Sequence, residues 1–234
     1  GIYGQNQTGT KLLRDNILFD NLAYGIHLYT SDGQYTKNIT VEGNVSFNNG
    51  SIASYGWRPD FFVGGSTPAS GMVFDDNLSY RNDAGETADL GWYQGATHQD
   101  LTLKNNYFIG TVHFGKWTSI DQSGNMIATS QPSGTKVVVR PNVYEAGRAN
   151  IVVYNWSRQG SVSVDPGVLR SGDRYEVRNV QDFYGTPVLS GTYSGGSLSL
   201  PMTGVRPASP IGRSTTSAPI TGPIFDVFVV LMVQ

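Results

Sequence analysis

The sequence predicts an all-β protein, in which a parallel β-helix of about five coils is followed by a small antiparallel β-sandwich. Three observations carry this: one short pattern recurs five times between Leu13 and Ala128, a second set of strands lies over itself in the same order, and composition changes near residue 133. Self-similarity at this scale marks a solenoid, in which each repeat buries its apolar face against its neighbours.

The repeated pattern is an inward apolar residue, two small or polar residues, an asparagine, and a mostly apolar pair flanking one free position. Its copies are Leu13–Phe19, Val41–Phe47, Phe74–Tyr80, Leu103–Ile109 and a degraded Gln122–Ala128. Their asparagines, Asn16, Asn44, Asn77, Asn106 and Asn125, are 28, 33, 29 and 19 residues apart, too uneven for rigid helical repeats but natural for coils with loops of different length. Around each Asn the apolar residues alternate with period two and are Ile, Val, Leu, Phe and Tyr, which suits half-buried strands. An Asn at the same corner of every coil can turn the chain and hydrogen-bond its own copy one rung away.

The second set comprises Gly1–Gln5, Gly25–Tyr29, Asp60–Gly64, Asp89–Tyr93 and Thr111–Gly115. Second and fourth positions (Ile2, Ile26, Phe61, Leu90, Val112; Gly4, Leu28, Val63, Trp92, Phe114) are expected to face one core. Alternation then points the third and fifth positions outward. One outward column is expected to read Tyr3, His27, Phe62, Gly91, His113, and the next Gln5, Tyr29, Gly64, Tyr93, Gly115.

With these strands in place, residues 1 to 133 resemble the right-handed parallel β-helix proteins of the pectate-lyase-like superfamily, Asn38–Gly50 being close to a typical coil of that group. The resemblance implies a fold more than an activity, because the superfamily includes lyases, hydrolases, epimerases, phage tailspikes and non-catalytic surface proteins. In its enzymes, substrate lies along the outward face of one parallel sheet. Calcium-dependent pectate lyases carry clustered outward Asp ligands with a nearby Arg base, and polygalacturonase-type hydrolases a trio of Asp with a glycine-flanked His. Neither set is found here, so no catalytic residue is carried over and no metal ligand is named; calcium alone stays open as a cofactor.

Residues 134 to 234 read as a second domain. Twelve of sixteen Asn and all three His precede residue 134, eight of eleven Pro follow it, and net charge passes from −5 (7 Lys and Arg, 12 Asp and Glu) to +3 (9 against 6). Alternating strands are expected at Lys136–Arg140, Asn150–Asn155, Ser161–Val164, Arg174–Val180, Gly196–Leu200 and Ile224–Val233, punctuated by turns such as Asp165-Pro166-Gly167. This half is similar in pattern and position to the C-terminal β-sandwiches of secreted glycoside hydrolases, with a proline-rich crossover, Pro201 to Pro223, before the last strand.

Several classes are excluded or disfavoured. The apolar run Ile224–Val233 is too short to span a bilayer, which takes about 20 apolar residues, and reads as a buried strand. Cysteine is absent, removing disulfides and cysteine metal sites. No basic stripe interleaved with aromatics exists for nucleic acid. Low charge and many Gly, Asn, Ser and Thr fit a secreted or cell-surface protein. The chain begins at Gly1 inside an expected strand, so further N-terminal coils or another chain are expected to cap the open solenoid end.

Function is sought on the outward column. His27, His113 and Tyr29 are the candidate catalytic groups, because imidazole exchanges protons near neutral pH. Tyr3, Phe62, Tyr93, Lys116, Trp117 and Arg58 are the candidate substrate contacts: aromatic faces stack on sugars, and the cations suit an acidic sugar. His27 and His113 are three coils, about 14 Å, apart, too far to serve one bond together. Asp60 begins its strand beside Arg58 and is expected to join that face, whereas Asp75, in a column with Arg14, Glu42 and Lys104, is expected to pair charges across rungs. The expected function is carbohydrate-active: binding a polysaccharide and cleaving it as a lyase or hydrolase, with a non-catalytic surface or assembly module as the alternative.

Overall fold

The computed structural model describes residues 1–53, 56, 58–93, 97–209 and 217–233, with the Tyr93 side chain outside that set. Gly1–Gln131 and Pro132–Gln234 form two compact units.

The first unit is a parallel β-helix of five coils, each giving three strands. They are β1 (Ile2–Gln5), β2 (Lys11–Arg14), β3 (Ile17–Phe19); β4 (Ile26–Thr30), β5 (Thr36–Glu42), β6 (Val45–Phe47); β7 (Phe61–Gly65), β8 (Ala69–Asp75), β9 (Leu78–Tyr80); β10 (Glu86–Tyr93), β11 (His98–Lys104), β12 (Tyr107–Ile109); and β13 (Thr111–Phe114), β14 (Trp117–Ser123), β15 (Met126–Ala128). Every third strand stacks in register to make three five-stranded parallel sheets, the first from β1, β4, β7, β10 and β13. Their inward residues, among them Ile26, Leu28, Phe61, Val63, Met72, Phe74, Leu90, Leu103 and Phe108, build one dry core.

The recurring Asn forms the corner between the second and third sheets. In each of four steps the backbone N–H and side-chain Nδ2 of one copy donate to Oδ1 of the next, from Asn16 through Asn44, Asn77 and Asn106 to Asn125, at 2.9–3.1 Å. The ladder satisfies backbone donors that the corner removes from the sheets. On the second sheet Arg14 pairs with Glu42 at 2.9 Å, as charge pairing across rungs requires, but Lys104 turns to Asp121 at 3.1 Å and Asp75 accepts from Asn105.

One strand departs from the expected register. Phe61 and Phe62 pair with Ala88 and Asp89, where the sequence alignment placed Leu90 and Gly91. Two irregularities in β10 explain it: between Glu86 and Ala88 against β13, and between Leu90 and Trp92 against β7. Each extra residue lets the outward face resume one position late, as a β-bulge does. The outward column therefore reads Tyr3, His27, Phe62, Asp89, His113, and Trp92 points outward with 38% exposure, correcting its assignment to the core.

The second unit contains β16 (Thr135–Pro141), β17 (Arg148–Asn155), β18 (Ser161–Val164), β19 (Arg174–Asn179), a 3-10 turn at Val180–Asp182, β20 (Leu189–Thr192), β21 (Leu198–Pro201) and β22 (Phe225–Met232). An antiparallel sheet in the order β16-β17-β22-β19-β20 and the pair β18-β21 share a core of Ile151, Val153, Val162, Val177, Leu200 and Phe228, a sandwich-like arrangement. The apolar C-terminal run is thus the central strand of a sheet. Among the described residues no helix is long and apolar enough to cross a membrane.

Candidate functional site

The outward face of the first sheet carries a cleft of about 530 Å³. Its lining combines an aromatic wall (Tyr24, His27, Tyr29, Phe62, Trp92) with a charged end (Arg58, Arg81, Asp83, Glu86, Asp89). A neighbouring hollow of about 590 Å³ shares Tyr24 and His27 and continues past Tyr3.

The aromatic wall follows from the register. Parallel pairing stacks Tyr3, His27 and Phe62 on successive rungs, and the loop before β4 adds Tyr24. The His27 ring lies 4.8 Å from Tyr3, 4.3 Å from Tyr24, 4.8 Å from Phe62 and 5.5 Å from Tyr29. Phe62, only 5% exposed, forms the floor, with Trp92 6.1 Å away. Burial among these rings lowers the His27 pKa to about 4. His27 is therefore neutral at physiological pH and a weak base. It lies in the wall as a flat polar ring.

At the charged end, His113 and Asp89 pair across β13 and β10, with Nδ1 and Oδ1 2.9 Å apart. Asp89 holds its carboxyl above the usual range, chiefly through burial, against the opposing hydrogen bond from His113. Glu86 is raised too, first by burial and then by the Asp89 charge. Arg81, itself buried, grips both oxygens of Asp83 at 2.9 Å and donates to the Arg58 carbonyl at 2.6 Å, fixing this rim of the cleft.

Other expected site residues lie elsewhere. Trp117 turns inward: its Nε1 donates to the Leu90 carbonyl at 2.9 Å and its ring packs on His98 at 4.7 Å, so it belongs to the last coil's interior. Lys116 is exposed outside the cleft lining. Asp60 is fully buried, accepting from the Asn49 and Thr87 side chains, and its pKa is pushed up to about 7 by burial; it is a structural group. Tyr93 pairs through its backbone with Gly65, and its side chain falls outside the described residues. Tyr24, Trp92, Glu86 and Asp89 are the site residues that sequence reasoning missed. The Glu86-x-x-Asp89 spacing was a signal only to a reader who placed a bulge between them.

Comparisons of the chain with protein-family models, curated proteins and solved structures give no match. The class that fold and site define is a five-coil parallel β-helix with an aromatic, acid-ended cleft on one sheet face, joined to a sandwich-like unit.

Proposed function

We propose that the protein is a secreted or cell-surface, pectate-lyase-like β-helix protein that binds a polysaccharide along the outward face of its first sheet and cleaves it there. One observation carries the reading: four aromatic side chains and a neutral imidazole line one wall of a cleft whose far end holds carboxylates, one of them, Asp89, hydrogen-bonded to His113. Flat apolar faces suit the C–H faces of sugar rings, and parallel rungs about 4.8 Å apart offer a repeating surface for a repeating ligand. Chemistry on a bound sugar is assigned to the charged end, at Glu86, Asp89 and His113, because burial makes His27 a weak base.

The test is a panel of homogalacturonan, alginate, xylan and β-glucan. It follows binding by calorimetry, new reducing ends, and the ultraviolet absorbance of unsaturated products, which separates lyase from hydrolase. Trp92→Ala is expected to weaken binding about tenfold or more without lowering the melting temperature, and Asp89→Asn to abolish cleavage while binding persists. Binding without cleavage on every substrate would assign the chain to the non-catalytic class. No binding to any member sinks the reading.

A further inference from the structure

We infer that Glu86, Asp89 and His113 form a binding site for a first-row divalent cation, of the Zn²⁺ or Mn²⁺ class, at the charged end of the cleft. One ligand atom from each residue lies within 4.8 Å of the other two, a separation that small side-chain rotations bring to a shared ion. Nothing in this inference depends on the cleft binding a glycan.

The site is built by the β10 irregularity. On a regular strand, residues three apart face opposite ways. Between Glu86 and Ala88 the register against β13 shifts by one residue, so Glu86 faces Thr111, Asp89 faces His113, and both carboxylates emerge on one face. Bulges that re-aim a side chain are typical beside functional sites.

The second observation is that burial and mutual repulsion outweigh the opposing contacts of these carboxylates. The Asp89 side chain is only 9% exposed, and one of its oxygens accepts from His113 while the other has no hydrogen-bond partner among the described residues. The Glu86 carboxylate makes no hydrogen bond among the described residues, and the Arg81 guanidinium, which hydrogen-bonds Asp83 and the Arg58 carbonyl, lowers its pKa by less than burial and the Asp89 charge raise it. Two partly desolvated carboxylates in mutual repulsion beside an imidazole are stabilised by an ion of charge +2.

The donor set selects the metal. One imidazole nitrogen with two carboxylates suits Zn²⁺ or Mn²⁺, whereas Ca²⁺ takes six to eight oxygens and has no use for the nitrogen. Three protein ligands, two of which line the cleft, would leave a coordination position open, the arrangement of catalytic rather than structural zinc sites.

Titration of the metal-free protein with Zn²⁺ and with Mn²⁺ by calorimetry, without glycan, tests the site. The expected result is one saturable site per chain, at least tenfold weaker in Glu86→Gln, Asp89→Asn and His113→Gln. Melting temperature should rise with cation in the wild type and not in Asp89→Asn. Circular dichroism of the variants separates lost binding from lost fold, and His113→Gln, altering a half-exposed side chain, is the variant that should leave the fold intact. No saturable binding overturns the inference, as does binding that persists in Asp89→Asn and His113→Gln, or Ca²⁺ binding there more tightly than Mn²⁺. Glycan binding without metal binding would sink this inference and leave the proposed function standing; the reverse would do the opposite.

Discussion

Asn77 sits at the centre of the corner ladder, fully buried, with every polar atom of its side chain used. Its Oδ1 accepts from the Asn44 backbone and side chain, and its Nδ2 donates to the Val41 carbonyl and to Asn106 Oδ1. Asn77→Ala strands the Asn44 backbone N–H in a buried corner, while Asn44 Nδ2 keeps the Leu13 and Glu42 carbonyls, and a buried unsatisfied polar group costs about 1–3 kcal/mol. The expected loss is about 2–3 kcal/mol, read from denaturant unfolding. Asn125→Ala, at the partly solvated last rung, should cost about 1 kcal/mol, because water can replace the lost partners. Equal and small losses at both positions would show that the ladder does not hold the corner. Such residues are legible because each copy makes the same contact as its neighbour. His27 was only half legible. Its outward position followed from alternation, but one of the rings around it, Tyr24, comes from a loop that no strand period describes.

At the scale of the element, β10 decides the site. Gly91 has φ +117°, in the region that favours glycine, and a Cβ there would lie 2.7 Å from Trp117 Nε1 and 3.1 Å from the Gly115 nitrogen. It is the extra residue between Leu90 and Trp92, so it lets Leu90 stay in the core while Trp92 turns into the cleft. Gly91→Ala is expected to lower the denaturation midpoint markedly and to change tryptophan emission as Trp92 and Trp117 shift. Wild-type stability and emission would show that the register does not depend on this glycine. The same strand marks where sequence reading stopped. Four of the five strands on this face alternate without interruption, so their stacking and outward positions could be read off directly. In β10 the period breaks twice, and forcing it to run unbroken put Gly91 where Asp89 stands and Trp92 in the core. In the second unit, β20 (Leu189-Ser190-Gly191-Thr192) escaped notice because an exposed edge strand with a glycine has no alternation to display.

At the scale of the molecule, each unit buries one carboxyl whose pKa burial pushes up to about 7. In the β-helix it is Asp60; in the second unit it is Asp226 on β22, hydrogen-bonded by Asn179 at 2.6 Å and Thr221 at 3.3 Å. An ordinary Asp titrates near 3.9 in the unfolded chain. Between these values the folded state holds a proton that the unfolded state has released, so stability is greatest below about pH 4 on this account and is lost as pH rises toward 7. The two groups belong to separate hydrophobic cores, so each should tune its own unit. Calorimetry from pH 4 to 8 is therefore expected to resolve two transitions that both move to lower temperature as pH rises. Asp226→Asn keeps an oxygen facing Asn179 and Thr221 and has no charge to bury. It should raise the second unit's transition by several degrees at pH 7.5, flatten its pH dependence, and leave the β-helix transition as it was. If Asp226→Asn flattens both transitions, the two units unfold as one, and the separate cores do not act as separate folding units.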